Sequence, residues 1–390
     1  MRRLALTLVL VAMVAALLLG IWGPGEIERR QNVIEPHVPW PVSESAAVLH
    51  QQLWITDLHA DSLLWDRPLA DRGDRGHVDL PRLRQGNVAL QVFPAVTRSP
   101  SGQNYTANAS DRFDNITPLV MLQGWPIATW SSLYERAIYQ SGRLTQLAED
   151  HPAELMIVRY KDDLLTLRQR REAGEQVVGG LLAIEGAHAL DAELVNVERL
   201  FNAGYRMIGL QHFFDNRLGG SLHGESKAGL TLFGKQVLAH MMSLGMMIDL
   251  AHSSEQVVRD VLAVTDVPLL ISHTGTRGHC PKPRNISDAL MVEIAARGGL
   301  IGIGYWEDAV CDASPAGLAA QIRAAVKLVG EDHVALGSDF DGAITSQLDA
   351  SELAAITHEL MAAGLDERQI RKVMGENAYR LIERLLPARR

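Results

Sequence analysis

A chain of 390 residues with 47% apolar residues and 33 glycines has the composition of a folded globular protein, with room for one large α/β barrel or two to three ordinary domains. Its formal net charge of −9 argues against a nucleic-acid partner, because phosphate binding needs a basic face. Two cysteines, Cys280 and Cys311, are too few for a disulfide scaffold or a cysteine zinc site; they could form one bond in an oxidising compartment, and the simpler reading is two unpaired small residues.

The chain begins Met1-Arg2-Arg3, followed by an uncharged apolar run over 4–22 and then Gly23-Pro24-Gly25. As a helix, that run spans about 28 Å, the thickness of a hydrocarbon core. The two leading arginines place the rest of the chain outside the cytoplasm. The exit LLLGIWGPG is a poor cleavage site, which favours an uncleaved anchor over a cleaved signal. Residues 1–23 therefore read as a membrane anchor or signal sequence. Residues 24–45, rich in proline and charge, read as a linker, and 46–390 as one exported domain, periplasmic or extracellular.

From Ala46 onward, strand and helix patterns alternate. Apolar runs predict strands at 53–58, 88–95, 179–184, 206–211, 246–251, 268–272, 299–304 and 334–338. Amphipathic stretches at 228–244, 255–264, 287–297 and 315–329 predict helices between them. Eight such units fit a (β/α)8 TIM-like barrel, with an open doubly wound sheet as the rival. Residues 97–178 are an excursion beyond a minimal barrel. It holds a Ser/Gly/Asn-rich start, a long helix at 111–149 and, in ELMIVRY, an extra strand or extended piece. Leaving from a strand's C-terminal end, it could wall the active-site mouth.

Six of the runs end on metal-ligand residue types. They are LWITDLHAD (His59, Asp61), GLLAIEG (Glu185), MIGLQH (His212), MMIDLAH (His252), PLLISH (His273) and HVALGSDFDG (Asp339, Asp341). One polar strand tip is commonplace, but six in order indicate a site at the C-terminal end of a barrel, where catalytic groups of that architecture gather. His59 and Asp61 stand at i and i+2, on one face of an extended strand end, and Asp57 shares that face as support. Glu185 at a buried tip needs a partner, and its two oxygens can bridge two cations. Imidazoles with carboxylates form the mixed N/O set of hydrolytic zinc.

The segments TDLHAD, HVDLPRLRQGNVALQVF, AIEGAH, GLQHFFDN, IDLAHSS, SHTGTRGHCPKPRNISD and GSDFDG occur in this order. On them, over about residues 47–386, the chain resembles the membrane dipeptidase (renal dipeptidase, peptidase M19) family of the amidohydrolase superfamily. The resemblance implies two Zn2+ per subunit, one held by His59, Asp61 and Glu185, the other by Glu185, His252 and His273, with Glu185 as bridge. It implies that His212 polarises the substrate, that Arg284 in KPRN receives the substrate carboxylate, and that Asp339 handles protons near a bridging water. Asp341, two residues further on, is the lesser candidate for that role. A homodimer acting on small dipeptides, including those with a C-terminal D-residue, is also implied. Two departures, Ala60 between His59 and Asp61 and the second-strand sequence NVALQVFPAV, concern the substrate pocket more than the metals. An amidase or deacylase of N-acyl amino acids or lactams on the same two-metal site is the alternative, and a tethered binding protein without turnover is a third reading.

Overall fold

In the computed structural model, which describes residues 22–389 together with Thr7 and Gly20, all eight predicted runs form strands. They are β1 Ile55–Asp57, β2 Val88–Val96, β3 Val178–Glu185, β4 Tyr205–Gly209, β5 Met247–Asp249, β6 Leu270–Thr274, β7 Leu300–Ile303 and β8 Val334–Leu336. Each pairs in parallel with its neighbours in sequence, and β8 pairs with β1 to close the ring. That closure decides for the barrel, since an open sheet keeps two edges. Every residue of β2 and of β3 is buried. Strands covered by side chains inside and helices outside read as continuous apolar runs, without polar alternation.

The outer helices include Leu232–Leu244, Glu255–Val264, Asp288–Ala296 and Pro315–Val329. Thr231, Ser254 and Ser314 start three of them by accepting a hydrogen bond from a first-turn N–H. The excursion departs from expectation. In place of one helix over 111–149, there are a helix Ile116–Leu122, a 3-10 turn Ile127–Trp130 and a helix Leu133–Asp150. Gly124 at φ 69° and Pro126 break the first piece, and Ser132 caps the last. The buried Arg136 ties the pieces together, donating to the carbonyls of Thr97 and Thr129 and to Asp114. Leu155–Ile157 is an extra strand beside the start of β3, on the side β4 takes further along.

The apolar run over 4–22 lies almost wholly outside the described residues. Among the described residues no helix is long and apolar enough to cross a membrane. Residues 24–45, read as a linker, make specific contacts with the barrel. Val33–Ile34 pairs in parallel with Thr345–Ser346, and Trp40 Nε1 donates to the Gln347 carbonyl at 3.1 Å.

Cys280 and Cys311 form a disulfide, contrary to the unpaired reading. They follow the adjacent strands β6 and β7, so barrel closure brings together loops that lie 31 residues apart in sequence. In the chain-entropy account, opening a loop of that length costs about 3–4 kcal/mol. The double variant Cys280→Ser/Cys311→Ser should therefore denature at clearly lower urea concentration than the oxidised protein. Equal midpoints would show that the bond contributes nothing.

Candidate metal centre

The predicted residues all emerge on the C-terminal side of the barrel. Glu185 is the last residue of β3, and Gly186 at φ 87° turns the chain directly after it. His59 and Asp61 follow β1, His212 follows β4, His252 follows β5, His273 lies in β6, and Asp339 follows β8. His252 (φ 61°) and Asp339 (φ 63°) adopt the left-handed region. For non-glycine residues that conformation is unfavourable, and it concentrates where a side chain has to be aimed.

Glu185 is the point of convergence. Its Oε1 lies 3.4 Å from His59 Nε2, 3.2 Å from His252 Nε2 and 3.4 Å from His273 Nε2, and its Oε2 lies 3.4 Å from His212 Nε2. Asp61 Oδ1 is 3.4 Å from His59 Nε2, and Asp339 Oδ1 is 3.8 Å from the same nitrogen. His252 Nε2 and His273 Nε2 face each other at 3.0 Å. The buried His59 Nε2 and Asp61 Oδ1 have no hydrogen-bond partner. Unsatisfied lone pairs aimed at one point are the donor set a cation completes.

Three groups of side chains offer ligand atoms within 4.8 Å of one another: His59, Asp61 and Glu185; Glu185, His212 and His252; and His59, His273 and Asp339. The first is one of the two predicted sets; the second, Glu185 with His252 and His273, is not among these groups of described residues, where His252 stands with Glu185 and His212, and His273 with His59 and Asp339. The other two also bring His212 and Asp339, read from sequence as groups that move charge, within ligand reach.

The electrostatics point the same way. Burial opposes the charged form of Glu185, yet the rings of His212, His59 and His252 outweigh it and hold its carboxyl well below the ordinary range. Burial and then the Glu185 charge push Asp61 up to about 7, and burial raises Asp339 well above the ordinary range. Burial, and next the Arg284 charge, lowers His252 far below the usual imidazole range, and burial with the charges of His59 and Arg284 does the same to His273. Ionised Glu185 thus lies among the neutral rings of His252 and His273, with Asp61 and Asp339 resisting ionisation. Against burial, Asp61 and then Glu185 raise His59 well above the usual imidazole range, so its ring stands where a cation would otherwise balance these carboxylates.

Several supporting residues escaped the sequence reading. Ser272 Oγ donates to Asp249 at 2.6 Å and lies 2.7 Å from His273 Nδ1. That chain leaves Nδ1 as the protonated nitrogen and turns the Nε2 lone pair inward. The only sequence signal was position, with Ser272 just before His273 and Asp249 three before His252. Asp57 does support the site. It accepts from Ser338 N at 2.8 Å and His59 N at 3.3 Å, joining the tips of β8 and β1. Asp341 is fully buried, pairs with Arg67, and accepts from Ser62 Oγ at 2.5 Å and His77 N at 2.6 Å. Although burial opposes it, Arg67 first and then His77 and Ser62 hold its carboxyl well below the ordinary range. Such a group stays charged and structural, bound into its own network with Arg67, Ser62 and His77.

A cavity of about 390 Å³ opens over the centre, within the usual range for small-ligand pockets. Arg284 reaches it from the loop after β6. It is buried, its Nη2 donates to the His273 carbonyl at 2.8 Å, its guanidinium lies 5.2 Å from the Trp306 ring centroid, and its Nε has no partner. The excursion walls the opposite part of the cavity with Ile116, Leu119 and Leu122, and its Tyr105 takes a hydrogen bond from Trp306 Nε1 at 2.9 Å.

Residues 43–388 match the family model for membrane dipeptidases, peptidase family M19. The dipeptidase ataJ of Aspergillus terreus is 25% identical over 339 residues, covering 80% of this chain and 77% of the relative. Among solved structures, dipeptidase AC, a metallopeptidase of family M19, superposes with a TM-score of 0.72 at 25% identity, covering 86% of this chain and 99% of the other. A metallopeptidase from Rhodobacter sphaeroides, solved with a phosphinate mimic of the dipeptide L-Ala-D-Ala, shares the fold with a TM-score of 0.68 at 24% identity, covering 85% and 99%.

Proposed function

The chain belongs to the membrane dipeptidase family, peptidase family M19, and from that membership we propose that it is a zinc-dependent hydrolase of dipeptides, including those with a C-terminal D-residue. The observation that carries the proposal is the convergence of four imidazole nitrogens on the two oxygens of Glu185, with Asp61 beside them. In this reading His59, Asp61 and Glu185 hold one Zn2+, and Glu185, His252 and His273 the other. When bound, the ions supply Lewis acidity and make water a nucleophile at neutral pH.

The chain's own groups do the rest. Asp339, with its raised carboxyl pKa, takes the proton of the attacking water and returns it to the leaving amine. Arg284 offers its free Nε and a planar fork to the carboxylate of a short substrate. His212 faces the oxyanion that develops on the peptide carbonyl. Because its Nδ1 lies 3.3 Å from the Arg98 carbonyl, donation to the oxyanion from Nε2 requires the imidazolium. A neutral ring donating to Arg98 would instead present a lone pair, as a ligand does. The two roles separate in His212→Ala. As an oxyanion group, its loss should leave two ions bound and reduce kcat about 10²- to 10³-fold, whereas loss of an ion would reassign it as a ligand.

An N-acyl amino acid deacylase is the second reading, favoured by the apolar wall of Leu64, Trp65, Leu119 and Leu122. Metal analysis alongside hydrolysis of L,L and L,D dipeptides and N-acyl amino acids tests both. We further propose that the domain works outside the cytoplasm, anchored through residues 1–23. The Cys280–Cys311 disulfide supports an oxidising compartment.

A further inference from the structure

The arm that leads from the apolar N-terminal run to the barrel also reaches the cavity. Its residues 22–31 are helical, and Ile27 and Gln31 line the space above the metal centre. Glu28 locks the arm in place. It is 1% exposed and accepts from Arg67 Nε at 2.5 Å and Arg75 Nε at 2.6 Å. Arg67 also pairs with Asp341, two residues beyond Asp339. Further along, Asn32 Oδ1 accepts from Ala343 N at 2.9 Å, and Val33 N donates to the Ile344 carbonyl at 3.1 Å. A buried carboxylate shared by two arginines costs desolvation, and on a peripheral strap it secures position more than stability. The arm and the loop after β8 are therefore held as one wall of the cavity.

The ring order says what that wall meets. Arg284 enters from the loop after β6, and the loops after β1 and β2 lie across the barrel from it. Trp65, Leu119 and Leu122 come from those loops and line the same cavity as Ile27. With the substrate carboxylate on Arg284 and the scissile carbonyl at Glu185, the first side chain of a dipeptide extends toward this apolar end. We propose that Ile27 and Gln31 close a subsite for that side chain, so that the N-terminal arm selects dipeptides beginning with a large apolar residue. The proposal rests on the dipeptidase reading. An apolar side chain there would lose its hydration at a gain, while a charged one would be buried without a partner.

The test is kcat/KM of the full-length protein on X-Ala dipeptides with X as Gly, Ala, Leu, Phe or Glu. Leu and Phe should exceed Gly by about tenfold or more, and Glu should be the poorest. Ile27 is 37% exposed, so Ile27→Asp is a mild change for folding, and it should lower the Leu/Gly ratio about fivefold or more. Ile27→Trp should lower the Phe/Ala ratio by filling the subsite. Glu28→Gln weakens the contacts to Arg67 and Arg75 that hold the arm, without changing a residue that lines the subsite, and it should shift the Leu/Gly ratio in the same direction as Ile27→Asp. A wild type indifferent to X, or a Leu/Gly ratio unchanged in Ile27→Asp, would overturn the subsite while leaving the dipeptidase reading in place. A wild type that cleaves N-acyl amino acids but no dipeptide would overturn both.

Discussion

Glu185→Gln should cost the protein most of its bound metal and at least about a thousandfold in kcat/KM, because one substitution takes a charged ligand from both proposed ions. The geometry leaves no substitute for it. Three imidazole nitrogens lie within 3.2–3.4 Å of its Oε1 and a fourth faces its Oε2. A glutamine keeps the shape, but it presents an amide N–H to at least one lone pair and carries no charge to offset the ions. Elemental analysis and dipeptide turnover on the same preparation check the prediction. Two zinc ions with undiminished turnover in Glu185→Gln would refute the bridge.

Arg284→Ala should raise KM for dipeptides about 10- to 100-fold, the worth of a charge-assisted, two-pronged contact to a carboxylate. Substrates whose C-terminal carboxylate is amidated should change far less. The comparison matters because Arg284 also braces the site, donating to the His273 carbonyl and lying over Trp306. A purely structural loss would weaken both substrates alike, and that outcome would remove the carboxylate assignment. Arg284→Lys keeps the charge without the planar fork, so it should recover only part of the lost affinity.

The fold was legible because a barrel strand is covered on both faces. Runs such as VALQVFPAV and GLLAIEG carry no polar alternation, and that continuity, repeated eight times, identified β1 to β8. The residue types at the strand tips were legible for a related reason. A histidine or carboxylate at the end of a buried run needs a partner, and His59 with Asp61 at i and i+2 shares a face. The broken helix of the excursion was less accessible: Gly124 and Pro126 mark the interruption, but amphipathic stretches on both sides of them read as one element.

Local periodicity and strand-end chemistry thus carried the eight strands, the C-terminal face and the candidate ligands. Barrel closure decided the rest. It joined Cys280 to Cys311, set Ser272 against Asp249 and His273, committed Asp341 to Arg67, and brought His212 and Asp339 within ligand reach of the other side chains. The arm is the extreme case, since residues 32–35 meet residues 343–346 across almost the whole chain. Such contacts leave no periodic trace, because each depends on how two distant backbone segments are aimed once the ring has closed.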